Sequence, residues 1–105
     1  MSDKLFQDIG QQFENQFQTS TGQMFGKPCL KTNKKAFVAF FKEEMVFKLS
    51  QQEVNLLKDK YPGSVNWDPS GKNRAMKEWL QVPVEFSNDW SILAKRALDF
   101  VNENN

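Results

Sequence analysis

At 105 residues, with 39% apolar, 26% charged and 13% aromatic side chains, the chain has the composition of one ordinary globular domain and no room for a second. Area scaling lets a chain of this length bury about two-thirds of its unfolded surface, so a core forms without metal or disulfide. Fourteen basic against thirteen acidic residues exclude coating nucleic acid or an anionic membrane by bulk charge, and the lack of histidine with a single cysteine excludes the commonest general base, an internal disulfide and a thiolate zinc cage.

The N-terminus, Met1-Ser2-Asp3-Lys4-Leu5-Phe6, shows no basic segment followed by an apolar run, and no stretch approaches the ~20 apolar residues of a membrane span. The expectation is a cytoplasmic protein with Cys29 reduced. From Ser2 to about Gln18, Leu5, Phe6, Ile9, Phe13 and Phe17 recur at three- and four-residue intervals, which predicts an amphipathic helix. Ser2 is its expected N-cap, Asp3 suits the first turn, and Thr19-Ser20-Thr21-Gly22 is expected to stop it.

Apolar clusters at Met24-Phe25, Cys29-Leu30, 36–41 and 45–47 then predict three consecutive antiparallel strands, with turns at Thr32-Asn33-Lys34 and Lys42-Glu43-Glu44. The strand near residues 35–41 alternates Phe37, Ala39 and Phe41 with Ala36, Val38 and Phe40, so it is apolar on both faces and belongs at the sheet centre. Ser50-Gln51-Gln52-Glu53 is a capping box for a second helix, with a stripe of Val54, Leu57 and Tyr61 flanked by Leu56 and a stop at Pro62-Gly63. Strands at 64–67 and 78–82 flank a loop at 68–74, and Pro83 puts the second of them at an edge or ends it. Ser87 or Asn88 is the expected cap of a last helix buried through Trp90, Leu93, Ala94, Ala97, Leu98 and Val101, with Phe86 packing back on its first turn. Residues 102–105 form a polar tail expected to fray. The order αβββαββα, an antiparallel sheet of about five strands with three helices, is an α+β fold, and residues 1–105 form a single domain.

Six lysines against two glutamates give residues 27–48 a net charge of +4. Lys27, Lys31, Lys34 and Lys35, interleaved with Phe25, Phe37 and Phe40, are the pattern of a sheet that stacks bases while its cations hold phosphates. Against this, phenylalanines this numerous fill cores and lysines protect strand edges. The loop Asp68-Pro69-Ser70-Gly71-Lys72-Asn73-Arg74 brings Lys72 and Arg74 to a turn whose amides could hold an anion, but it lacks the glycine and hydroxyl spacing of a P-loop and also reads as an ordinary Pro-Ser-Gly turn. Lys48, interrupting an apolar strand, is expected to be ion-paired or at an edge, and Cys29 to be a small buried hydrophobe with nothing to activate it. Glu43, Glu44, Asp68, Glu78 and Glu85 have no metal-loop spacing and are expected to be solvated, while Trp67, Trp79 and Trp90 are expected in the core. No catalytic, cofactor or metal residues are assigned.

The runs Met24-Phe25-Gly26-Lys27-Pro28-Cys29-Leu30, Met45-Val46-Phe47-Lys48-Leu49, Trp67-Asp68-Pro69-Ser70-Gly71 and Met76-Lys77-Glu78-Trp79-Leu80-Gln81-Val82-Pro83 resemble the TfoX N-terminal domain family, in its small stand-alone form, over nearly the whole chain. The resemblance implies an α+β domain similar to the secretion-chaperone-like and YjbR-like folds, in a bacterial regulatory protein, and brings no catalytic residues. The competence regulators of that family carry a second, C-terminal domain not contained in this sequence, so a role in competence does not follow. The expected function is a non-enzymatic interaction or regulatory module with a protein partner, self-associating if a second subunit covers the far side of the central strand. Nucleic-acid binding through the lysine patch is the alternative, and a small anion at the 68–74 loop is a second one.

Overall fold

A computed structural model describes residues 2–104, without the side chain of Ser2. The chain forms α1 (Ser2–Phe17), β1 (Ser20–Met24), β2 (Lys27–Thr32), β3 (Lys35–Phe41), β4 (Glu44–Lys48), α2 (Gln51–Lys60), β5 (Val65–Asn66), β6 (Trp79–Val82), a 3-10 turn (Val84–Asp89) and α3 (Trp90–Glu103). The strands make one antiparallel sheet in the order β1-β2-β3-β4-β6-β5. The α+β class stands, with β3 in the interior of the sheet as its two-sided apolarity requires.

The sheet has six strands because the segment expected to stop the first helix is itself a strand. Gln18, at φ 58°, ends α1, and Ser20-Thr21-Gly22-Gln23-Met24 then pairs with β2. An edge strand exposed on most of its length carries no apolar alternation, so its sequence reads as a break. The cap expected at Ser2 lies outside the described side chains.

Three hairpins follow, each closed by two residues with positive φ: Phe25-Gly26, Asn33-Lys34 and Lys42-Glu43. Two-residue turns of this hand match the twist of the strands they join. Pairing passes from Leu30 opposite Val38 to Lys31 opposite Ala36, so Phe37 is the extra residue of a β-bulge. The bulge resets the phase of β3. Phe37, Val38 and Phe40 all meet the helices, while Ala36, Ala39 and Phe41 meet the other face, unlike the strict alternation that the sequence suggests.

All three helices lie on one side of the sheet. Phe6, Ile9 and Phe13 of α1, Val54, Leu57 and Tyr61 of α2, and the buried stripe of α3 form one core with Leu30, Phe37, Val38, Phe47 and Leu80. Close approach of α1 to β2 depends on Gly10, where a Cβ would stand 3.0 Å from Leu30 Cδ2. Ser50 caps α2 by accepting from the Glu53 amide at 3.1 Å, but the Glu53 carboxylate pairs with Arg96 of α3. The capping serine is as expected; the glutamate serves tertiary docking.

The last helix is not capped by Ser87 or Asn88. Both lie in the preceding 3-10 turn, and Asp89, at the cap position, makes no side-chain capping bond; its Oδ2 accepts from Tyr61 Oη at 2.7 Å. The tail expected to fray is helical through Glu103, and Asn104 Nδ2 donates to the Phe100 carbonyl at 2.8 Å; Asn105 lies outside the described residues. Pro83 follows β6 directly, which makes it a strand terminator rather than an edge residue.

Candidate functional site

The face of the sheet without helices is closed by the chain itself. Cys29, Ala39 and Val46 on its floor and Trp67 above them are all 0% exposed, with Trp79, Met24, Phe41 and Met76 packed around them. Trp67 stands edge-on to Trp79 at 5.5 Å and to Phe41 at 5.8 Å. The two-sided central strand therefore has both faces covered within one chain, which removes the need for a second subunit as a lid.

What stays open is a corner of this face, where the β1–β2 turn meets the 68–74 loop. Asp68 builds the loop. Its Oδ1 accepts from Ser70 Oγ at 2.7 Å and from the Ser70 and Gly71 amides at 3.1 and 3.0 Å, and its Oδ2 accepts from the Arg74 amide at 3.0 Å. The Ser70 hydroxyl foremost, and then these amides, hold the Asp68 carboxyl below its ordinary range. Asp68 thus supplies the anion that the turn's amides bind. Those donors are spent inside the loop, and Asp68 is not the merely solvated carboxylate expected from sequence.

Phe25 faces this loop from the hairpin tip, edge-on to Trp67 at 6.0 Å and 62% exposed. Its φ is 53°, a conformation that costs a bulky L-residue roughly 1–2 kcal/mol and that Asn or Gly adopts more readily. Phe25, Pro69, Ser70, Arg74 and Met76 line a pocket of about 330 Å³ between the two segments. The corner thus joins an exposed aromatic on a positive-φ backbone to a formed pocket, the kind of juxtaposition that binding sites show.

The six basic residues singled out in the sequence do not form a cluster. Lys27 lies beside the corner with its ammonium 5.4 Å from the Phe41 ring centre, and Lys31 follows on the same face of β2. Lys34 lies in the β2–β3 turn and Lys35, paired with Thr32, is level with the last residue of β2, about 17 Å along the strand from Lys27 and on the helix side, where Thr32 meets Asn102. Lys72 and Arg74 lie in the loop. None of the six forms an ion pair among the described residues. Phe37 and Phe40 point into the helix-side core and are unavailable for stacking; Phe25 remains available.

Lys48 is paired, not at an edge: its Nζ sits 3.0 Å from Glu78 Oε1 and 5.6 Å from the centre of the Trp79 ring. Together with Met24, Lys35, Ala36 and Phe100 these residues line a second groove of about 540 Å³. Burial pushes the Cys29 thiol up, with Lys31 opposing weakly, so the thiolate is disfavoured. Among the described residues no three of Cys, Asp and Glu converge as a metal site, and no helix is long and apolar enough to cross a membrane.

Sequence reasoning placed the loop and Arg74 among the candidates but missed Phe25 as a turn residue and Met76 as a lining one. The Met-Phe-Gly step carried the signal, since a glycine two residues before Pro28 can close a two-residue hairpin. Comparison with known proteins adds no assignment: no family model, no curated protein and no solved structure matches the chain.

Proposed function

We propose that this protein is a non-catalytic binding module of the TfoX N-terminal type that engages a protein partner through the corner formed by Phe25 and the 68–74 loop. The observation that carries this reading is Phe25 itself. Beyond its edge contact with Trp67 the ring is open, 62% exposed, at a positive φ that Asn or Gly adopts more readily, so a partner contact accounts for an aromatic here. Interface energy concentrates in such aromatic and arginine anchors, and Arg74 lines the same pocket. A search for the partner uses the full chain as bait in lysate of its own cells, with nuclease, beside a Phe25→Ser bait. A protein retained by the first and lost from the second supports the reading; one retained equally by both refutes the corner as the surface.

A second reading rests on a separate observation, the cations Arg74, Lys27, Lys31 and Lys34, none of which forms an ion pair among the described residues. A single nucleic-acid strand laid along them would place one base on Phe25. Four phosphate contacts would give a log–log salt slope of about −3 for a single strand. Affinity independent of salt, or unchanged when Lys27, Lys31 and Lys34 are replaced together by glutamine, refutes it.

A further inference from the structure

We infer that the Phe25–Arg74 pocket is a specific site for a small apolar acid, a carboxylate carried on an aryl or branched aliphatic body. The inference rests on the corner being the recognition surface and adds the chemistry recognised there.

Of the loop residues that line the pocket, Pro69 has no N–H, the amides of Ser70 and Arg74 donate to Asp68, and the Met76 amide donates to the Trp67 carbonyl at 2.9 Å. The Ser70 hydroxyl donates to Asp68 Oδ1 and accepts from the Lys72 amide at 3.1 Å. With these amides and the hydroxyl satisfied internally, the side-chain donor left among the lining residues is the Arg74 guanidinium, which forms no ion pair among the described residues.

The remaining lining is the Phe25 ring, the Met76 thioether and the Pro69 ring. A guanidinium on an otherwise apolar wall binds a carboxylate through two parallel N–H donors and leaves the ligand's body to the aromatic and thioether. A neutral apolar molecule leaves the guanidinium unanswered, and a small inorganic anion leaves the apolar wall wet. At about 330 Å³ the space lies at the small end of ligand sites and fits one ring with a short side chain.

The 540 Å³ groove is the weaker candidate: Glu78 neutralises its Lys48, its other cation Lys35 is exposed, and Glu78 and Asn104 put a carboxylate and an amide in its wall where an apolar acid would lie. Trp67 gives the small pocket a rigid base: it is fully buried, touches Phe25, and immediately precedes Asp68. The site is therefore built on the same side chain that closes the second face of the sheet.

The test is a titration of the full chain, followed by amide chemical shifts, with three probes: 3-phenylpropionate, the uncharged 3-phenylpropan-1-ol, and propionate. The expected result is saturable shifts at Phe25, Ser70, Arg74 and Met76, with the phenyl acid binding about tenfold more tightly than either other probe. Arg74→Gln should abolish the preference for the acid over the alcohol, and Phe25→Gly should weaken both aromatic probes while easing the positive-φ turn, so its folding is not at risk. Absence of saturable shifts at these residues up to about 20 mM, or equal binding of acid and alcohol, overturns the inference. So does a preference that survives Arg74→Gln. If none of the probes binds while Phe25→Ser still loses a protein partner, the acid site falls and the binding module stands. If the acid binds and no partner depends on Phe25, the reverse holds.

Discussion

Tyr61 is the chain's only tyrosine, so one chromophore reports on a contact that docks α2 against the start of α3. It is 4% exposed, and its hydroxyl donates to Asp89 at 2.7 Å. Burial first, then the hydrogen bond to Asp89 and that carboxylate's charge, push its pKa up from 10.0 to about 12, with Arg96 opposing. A group whose folded pKa is raised contributes stability that is complete below the unfolded value and is lost as pH climbs through the folded one. Between pH 10 and 12 the unfolded chain releases a proton that the native chain retains, so stability falls by about 1.4 kcal/mol per pH unit and about 2–3 kcal/mol in all. Below pH 10, Tyr61→Phe should cost about 1.5–3 kcal/mol, the value of a hydrogen bond to a charged acceptor. The difference between the two proteins should then close as pH rises to 12. Denaturant unfolding of both across that range, beside tyrosinate absorbance of the native protein, measures each quantity, and lysine titration cancels in the difference. A native tyrosinate midpoint near 10, or a wild-type-to-variant difference that stays constant with pH, would refute the assignment.

Lys34 occupies the second place of a turn at φ 68°, directly after Asn33, so Lys34→Gly creates the preferred Asn-Gly pair and should stabilise the fold by about 0.5–1 kcal/mol in urea unfolding. Phe37, 0% exposed at the bulge and stacked on Phe13 at 6.1 Å between ring centres, should cost about 3–4 kcal/mol when replaced by alanine, measured the same way. Asp68→Ala should accelerate hydrogen exchange at Gly71 and Arg74 by at least about tenfold while the β3 amides stay protected; unchanged exchange would mean the loop holds without its carboxylate. Cys29, buried with a raised pKa, should resist alkylation in the native protein at mildly alkaline pH and react when denatured, which a thiol assay with and without denaturant decides.

Much of the fold is written in periodicities that survive translation into structure. The stripe Trp90 to Val101 and the pattern Phe6, Ile9, Phe13 bury as their spacing demands, because a helix repeats its faces without interruption. The strands were legible only as far as their neighbours are regular. Alternation along 36–41 fits either register, and the extra residue that turns Phe37 to the helix side is set by pairing with Leu30 and Lys31, which the sequence of β3 does not contain. Ser20 to Gln23 hid a strand because its energy is in backbone pairing at an edge, not in side-chain burial. The helix caps divide on the same principle. Ser50 is satisfied three residues away and could be read; Asp89 at the start of α3 is engaged by Tyr61 twenty-eight residues earlier.

The candidate site was half legible for a related reason. The 68–74 segment announced a turn through Pro69, Ser70 and Gly71, and it offered Lys72 and Arg74 as cations. Whether its amides were free depended on where the Asp68 carboxylate went, and that carboxylate turned inward on its own loop. The consequence reverses the chemistry of the loop: amides already holding an anion do not need another, and recognition passes from backbone to side chains. The cation that matters is then the one beside apolar surface. Arg74 has that surface because Trp67, one residue before the loop's carboxylate, is pinned under Phe25 and over Cys29, Ala39 and Val46. A single tryptophan thus closes the sheet's second face and supports the hairpin tip beside the loop, so under the proposed reading substitutions that loosen it should weaken binding at the corner together with stability, whereas exposed Arg74 can be changed for binding alone.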